Sequence, residues 1–140
     1  MNKKRILIVD DEPSITRSLK LNLEATGFYT VETENFAIHA LPTARRFKPD
    51  LIILDVMMPG LDGGEVAAQI RASSLLKGIP IIFLTAILSN KETGGRESTS
   101  GAMSYLAKPV DWLELQRCIE ERIGKQAADA SPQPGLPTRL

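Results

Sequence analysis

The sequence predicts an α/β fold in which a doubly wound, five-stranded parallel sheet carries helices on both faces. Apolar runs rich in Ile, Leu and Val recur at residues 6–9, 51–54 and 81–84, each bounded by Pro, Asp or Thr. Runs of this kind read as strands buried on both faces, as parallel strands are. Helical periodicity fills the gaps between them, and crossovers between parallel strands are almost always right-handed. A chain of 140 residues with 43% hydrophobic content fits one domain with its own core. Together these features give the flavodoxin-like arrangement, with strand order 2-1-3-4-5.

Each element has its own signal. The first strand follows Met-Asn-Lys-Lys-Arg, but its apolar run ends at three acids and is too short for a secretory or membrane-spanning segment. Ile15, Leu19 and Leu23 then recur at helical spacing, and Gly27 stops that helix. A second strand is expected at 28–33, where Tyr29, Val31 and Thr33 alternate with other neighbours, and a fifth at 104–107 before Pro109. Helices are expected at 36–46 and 64–76, the first kinked by Pro42 and the second weakened at its start by Gly64. Leu115, Ile119 and Ile123 define the last helix, ended by Gly124. The fourth helix is the exception. Residues 89–101 contain no aliphatic or aromatic side chain and carry Gly94-Gly95 at their centre, so a short, frayed or absent helix is expected. From residue 125 onward three prolines and little to pack predict a disordered tail, leaving a single domain over 1–124.

Composition removes several functions. Seventeen basic residues balance seventeen acidic ones, so no global positive field exists to hold nucleic acid or anionic lipid. Neither direct nucleic-acid binding nor membrane insertion is expected. One cysteine, Cys118, cannot form an internal disulfide, and no Cys/His cluster offers a zinc site. A reducing, cytoplasmic setting fits best. The sixteen residues after Gly124 are too few for a helix-turn-helix or a catalytic module, so the chain is expected either to act through binding or to be a fragment of a larger regulator.

In an open parallel sheet, ligands bind beyond the carboxyl ends of the strands where strand order reverses. The first strand ends in Asp10-Asp11-Glu12, the third in Asp55, the fourth in Thr85 and the fifth in Lys108. Any one of these alone is more simply a loop acid or a helix cap; the set at corresponding strand ends is not. Clustered carboxylates repel unless a cation lies between them, and a hard divalent ion, Mg²⁺ or Mn²⁺, suits an all-oxygen site. One carboxylate could then attack a phosphoryl group while the metal, the lysine and the hydroxyl neutralise its oxygens.

The segments around these residues are Val9-Asp10-Asp11-Glu12-Pro13, Asp50 through Gly63 with Asp55 and Met57-Met58-Pro59-Gly60, Phe83-Leu84-Thr85-Ala86, Gly101-Ala102, and Tyr105-Leu106-Ala107-Lys108-Pro109. In this order they resemble the receiver domain of two-component response regulators, in its stand-alone, chemotaxis-regulator-like form, over residues 4 to about 123. The resemblance implies a phosphorylation-activated switch, with Asp55 as the phosphoacceptor from a histidine kinase or His-containing phosphotransfer protein. It implies Mg²⁺ held by Asp10, Asp11, Asp55 and the backbone carbonyl of Met57. Thr85 and Lys108 would contact the phosphoryl oxygens, the latter aimed inward by a Lys108-Pro109 bond that favours cis. Thr85 and Tyr105 would switch together and change how the face of strand four, strand five and the last helix binds a downstream protein. The implied state is a monomer or a phosphorylation-dependent dimer, with no enzymatic activity beyond its own phosphorylation and dephosphorylation. Met57 and Ile87 would flank the line of attack by water, and neither can orient one, so a long-lived phosphorylated state is expected.

Three other readings are weaker. A small Mg²⁺-dependent phosphotransferase of the haloacid-dehalogenase kind needs an acid two residues past the nucleophile, where this chain has Met57. A flavin carrier needs a phosphate loop where Asp10, Asp11 and Glu12 would repel one. A pseudo-receiver docking module would lack part of the phosphorylation set, and nothing in that set is missing. His39 reads as a solvated or half-buried side chain, Trp112 as packing, Cys118 as a small core residue, and Gly60, Asp62 and Gly63 as turn chemistry.

Overall fold

The structure is a computed structural model, and it describes residues 3–86, 98–100 and 103–124. In chain order the elements are β1 (Lys4–Val9), α1 (Pro13–Ala25), β2 (Tyr29–Glu34), a 3-10 turn (Ala37–His39), α2 (Ala40–Phe47), β3 (Leu51–Asp55), α3 (Gly63–Ala72), β4 (Ile81–Thr85), β5 (Ser98–Ser100), β6 (Met103–Ala107) and α4 (Trp112–Ile123). The sheet order is β2-β1-β3-β4-β6-β5. Its five parallel strands follow the predicted 2-1-3-4-5 order, with β6 as the fifth. β5 is an addition: it runs antiparallel to β6, with Ser98 opposite Tyr105 and Ser100 opposite Met103. It lies within the apolar-free stretch, where residues 98–100 are extended rather than helical. Residues 87–97 and 101–102, which include the remainder of the expected weak helix, lie outside the described residues, as does the tail from 125.

The continuous apolar runs exist because alternate residues feed two cores. Leu7, Val9, Ile52, Leu54, Ile81 and Phe83 pack with Ala40, Ala44, Phe47, Val66 and Ile70 of α2 and α3. Ile6, Ile8, Leu51, Ile53, Ile82, Leu84 and Leu106 pack on the other face with Leu19, Leu23, Leu115, Cys118 and Ile119 of α1 and α4. Cys118 is a buried core residue, and Trp112 is packed, half-buried, against the same cluster.

Two helix boundaries differ from expectation for identifiable reasons. Pro42 does not kink a helix over 36–46; a 3-10 turn comes first and α2 begins at Ala40, which places the proline in the first turn, where a missing N–H removes no intrahelical bond. α3 ends at Ala72 rather than 76, because Ser73 is extended. It also starts firmly despite its glycines: the Asp62 side chain accepts from the Glu65 N–H, and the Glu65 side chain returns to the Asp62 N–H.

The open edge of the sheet at β2 is occupied by side chains. Lys20 donates to the Val31 carbonyl at 2.6 Å, while the Val31 N–H donates to Glu24 at 2.9 Å. That N–H holds the Glu24 carboxyl below its ordinary range, and Lys20, 3.0 Å away, adds to the effect.

Gly63 is required by close approach. A Cβ there would stand 2.5 Å from the Asp55 carbonyl oxygen and 2.8 Å from the Val56 Cα, so α3 lies directly on the backbone at the end of β3. Gly63→Ala should therefore destabilise the protein by about 1–3 kcal/mol. Gly64→Ala, which meets only the Asp62 carboxylate at 3.3 Å, should change stability by less than about 1 kcal/mol. Urea denaturation of the two variants checks this, and equal effects would contradict it.

Candidate functional site

At the carboxyl edge, β1 and β3 turn into loops with their terminal acids still inside the protein. Asp10 is fully buried and Asp55 nearly so, whereas Asp11 and Glu12 reach toward solvent. Lys108, immediately after β6, brings its Nζ to 3.1 Å from Asp10 Oδ2, 3.3 Å from Asp55 Oδ1 and 3.3 Å from Glu12 Oε1. Its own backbone N–H donates to the Thr85 carbonyl at 2.9 Å, which ties the end of β6 to the end of β4. The Lys108-Pro109 peptide is cis. Thr85 is buried at the last position of β4.

Asp10 is held on three sides. Its N–H donates to the Glu34 carbonyl at 3.1 Å, its carbonyl accepts from the Asn35 amide at 2.7 Å, and its Oδ1 accepts from the Glu12 N–H at 2.9 Å. Its Oδ2 is buried and accepts no directed hydrogen bond, although the Lys108 ammonium is beside it. Asp55 Oδ1 accepts from the Met57 N–H at 3.3 Å. Met57 itself lies in the loop after β3 with its side chain exposed. Ile87, its expected counterpart across the line of attack, lies outside the described residues.

These contacts set the protonation states. Burial, reinforced by the Asp10 charge, pushes the Asp55 carboxyl up to about 6, and the Lys108 ammonium and the Met57 N–H only partly oppose this. For Lys108, burial works against the charge, but Asp10 and Asp55 outweigh it and hold the ammonium above its ordinary value.

The sequence-predicted residues thus converge. One oxygen from each of Asp10, Asp11 and Asp55 lies within 4.8 Å of the other two. A single ammonium faces more carboxylates than it can neutralise, and one buried oxygen has no directed partner. That all-oxygen set fits a hard divalent cation. Tyr105 is half-buried on β6, stacked on Phe83 of β4 with ring centroids 5.0 Å apart and planes 19° from parallel. Because Phe83 pairs with Tyr105 and Thr85 with Ala107, Tyr105 and Thr85 are diagonal neighbours on one face of the sheet.

His39, as expected, stays out of the site: its side chain is more than half exposed, edge-on to Phe36 and 3.7 Å from Glu34. Sequence reasoning did not single out Asn35 or the reach of Lys108 to Glu12. A polar amide directly after the second strand was the available signal for Asn35; nothing local foretells a contact across 96 positions.

Residues 6–120 match the family model described as response regulator receiver domain. The chain belongs to the response regulator receiver domain family. Among curated relatives it is 54% identical over 123 residues to the alkaline phosphatase synthesis transcriptional regulatory protein PhoP of Bacillus subtilis, covering 86% of this chain and 48% of that one. It is 38% identical over 122 residues to the DNA-binding response regulator MtrA of Mycolicibacterium smegmatis, covering 86% and 51%. The receiver chain therefore spans about half the length of the curated relatives it matches. Among solved structures it is similar to chemotaxis protein CheY4 of Vibrio cholerae, with TM-score 0.73, 30% identity and coverage of 86% of this chain and 99% of that one. It is similar also to the receiver domain of the sensor histidine kinase PA1611 of Pseudomonas aeruginosa, solved with a magnesium ion in its active-site cleft, at TM-score 0.72, 32% identity and coverage of 89% and 100%. The receiver family is a signalling family rather than one of classical enzymes. Among the described residues no helix is long and apolar enough to cross a membrane.

The raised Asp55 pKa has a measurable sign. In the metal-free receiver the folded state keeps the Asp55 proton over a range where the unfolded chain has released it. The stabilisation from the neutral carboxyl is therefore complete below about pH 4 and is lost as pH rises through about 6. Asp55→Asn should escape that loss and exceed wild type by about 1–3 kcal/mol at pH 7.5 in EDTA, with little difference at pH 4. Urea denaturation at both pH values provides the check, and the same gap at each would refute it.

Proposed function

We propose that this receiver accepts a phosphoryl group on Asp55 from a phosphohistidine of a histidine kinase or phosphotransfer protein. The observation that carries the reading is the buried Asp55 carboxylate, 3.3 Å from Lys108 and grouped with Asp10 and Asp11 around a space suited to a cation. Asp10, Asp11, Asp55 and the Met57 carbonyl would hold Mg²⁺ or Mn²⁺. When bound, that ion supplies charge neutralisation for the transferring phosphoryl oxygens.

The chain's own residues do the rest. An Asp55 carboxylate oxygen attacks phosphorus, an O–P bond forms as the N–P bond to imidazole breaks, and the leaving histidine keeps the electron pair and takes up a proton. Lys108, already held against Asp55, moves its charge onto the phosphoryl oxygens, which replace the acceptors it now uses. The Met57 N–H fixes the carboxylate's orientation. Hydrolysis then needs a water in line, and the Met57 side chain offers no hydrogen bond to place one.

Switching follows from charge and adjacency. A phosphoryl group adds about −1.5 to −2 of charge beside Thr85, whose hydroxyl is drawn toward it. Tyr105, its diagonal neighbour, then repacks. Ser104, next to Tyr105, accepts a hydrogen bond at 2.9 Å from Arg122 of α4, so a change in β6 is felt by that helix. The face of β4, β6 and α4 is the proposed output surface for a downstream protein, as a monomer or a phosphorylation-dependent dimer. The DNA-binding names belong to relatives of which this chain covers about half. For this receiver the proposed signal passes by protein contact in the cytoplasm.

Acetyl phosphate with Mg²⁺, followed by intact-mass analysis, should add one phosphoryl group to wild type and none to Asp55→Asn; full labelling of the variant would overturn the assignment. The second expectation concerns lifetime. Met57→Asn supplies a group that can hold the attacking water, and phosphoryl loss from it should be several-fold faster than from wild type. Identical decay curves would show that this position does not set the lifetime.

A further inference from the structure

In a parallel ladder a strand residue donates its N–H to one partner carbonyl and accepts at its own carbonyl from the N–H two residues further along the partner. Asp10 obeys the first half, donating to the Glu34 carbonyl. The second half would need the Phe36 N–H, but that group is turned onto the Glu34 carboxylate, 3.1 Å away. The chain has left the sheet after Glu34. The Asn35 side-chain amide takes the place of the missing donor at 2.7 Å, and the same nitrogen reaches the buried Thr16 hydroxyl at 3.1 Å. Thr16 in turn donates to the Pro13 carbonyl at the first turn of α1. One amide thus pins the peptide carrying Asp10 to both the helix that follows it and the strand beside it.

We infer that Asn35 is a positioning residue for the metal site, acting through Asp10. The inference rests on the proposed Mg²⁺ site and adds to it a residue that touches neither metal nor phosphoryl group. Asp10 has two of its polar groups tied to backbone and a third to the Asn35 amide, which leaves Oδ2, paired only with the Lys108 ammonium, as the oxygen turned to the acidic cluster. Without Asn35 the Asp10 carbonyl loses its donor, the Asp10–Glu12 turn gains freedom, and Oδ2 must be ordered at the moment the cation binds. Residues that orient metal ligands in this way affect affinity by about 10- to 100-fold.

The test is Mg²⁺ titration by calorimetry on the full chain, with urea stability measured alongside. Asn35→Ala should raise the Mg²⁺ dissociation constant about tenfold. Thr16→Val, which removes one end of the clamp, should raise it less, and the double variant should bind no more weakly than Asn35→Ala alone, because both changes break one linkage. Lys20→Ala, which removes the contact at the outer edge of β2, serves as the control and should lower stability while leaving Mg²⁺ affinity at the wild-type value. Wild-type affinity in Asn35→Ala, additive losses in the double variant, or an equal loss in Lys20→Ala would each overturn the inference. In those outcomes wild type still binds Mg²⁺, so the proposed metal site stands. Failure of wild type to bind Mg²⁺ at all would remove both.

Discussion

Two carboxylates that ought not to be buried together, Asp10 and Asp55, are the constraint around which the rest of this structure is arranged. Each sits at the end of a central strand, out of water, and their repulsion is relieved in part by one ammonium. Burial of like charges is unfavourable unless they are compensated. The surrounding fold must therefore be rigid enough to keep them where solvent would not place them. That rigidity comes from β1 and β3, adjacent and buried on both faces, and from Gly63, whose missing side chain lets α3 press against the backbone that carries Asp55.

The compensation is drawn from distant parts of the chain. Lys108 arrives from the far side of the sheet because β6 lies beyond β4, and its backbone is tied to Thr85 on the way. The same short path links the acidic cluster to Tyr105 and, through Ser104 and Arg122, to the last helix. On the proposed reading, a change of charge at one strand end reaches that helix through these few neighbours.

Much of this was legible in the sequence because it follows from period and position. The runs at 6–9, 51–54 and 81–84 read as two-sided strands, and their last residues marked the edge at which Asp10, Asp55 and Thr85 lie. What was not legible arose from contacts between segments. β5 has no apolar signal because a three-residue antiparallel edge strand is held by backbone pairing to β6. Asp62 reads as a turn residue in the sequence, and its cap with Glu65 is recognised only once the helix start is known. The role of Asn35 became readable only once β2 was seen to end at Glu34, with the Asn35 amide in place of the next ladder donor. The late start of α2 shows the same limit: Pro42 marks a helix boundary, but the 3-10 turn before it decides on which side the boundary falls.

The pairing of Lys20 and Glu24 with Val31 bears on how copies of this protein meet one another. An outer strand with free N–H and carbonyl groups is a template on which a second chain can add, the first step toward swapped or fibrous assemblies. At Val31 both groups are already engaged by a helix of the same chain, and among the described residues the opposite edge is a strand of three residues. Backbone-mediated growth of the sheet is thereby discouraged at either side. Contacts between molecules then fall to side chains, where charge and shape can distinguish one partner from another.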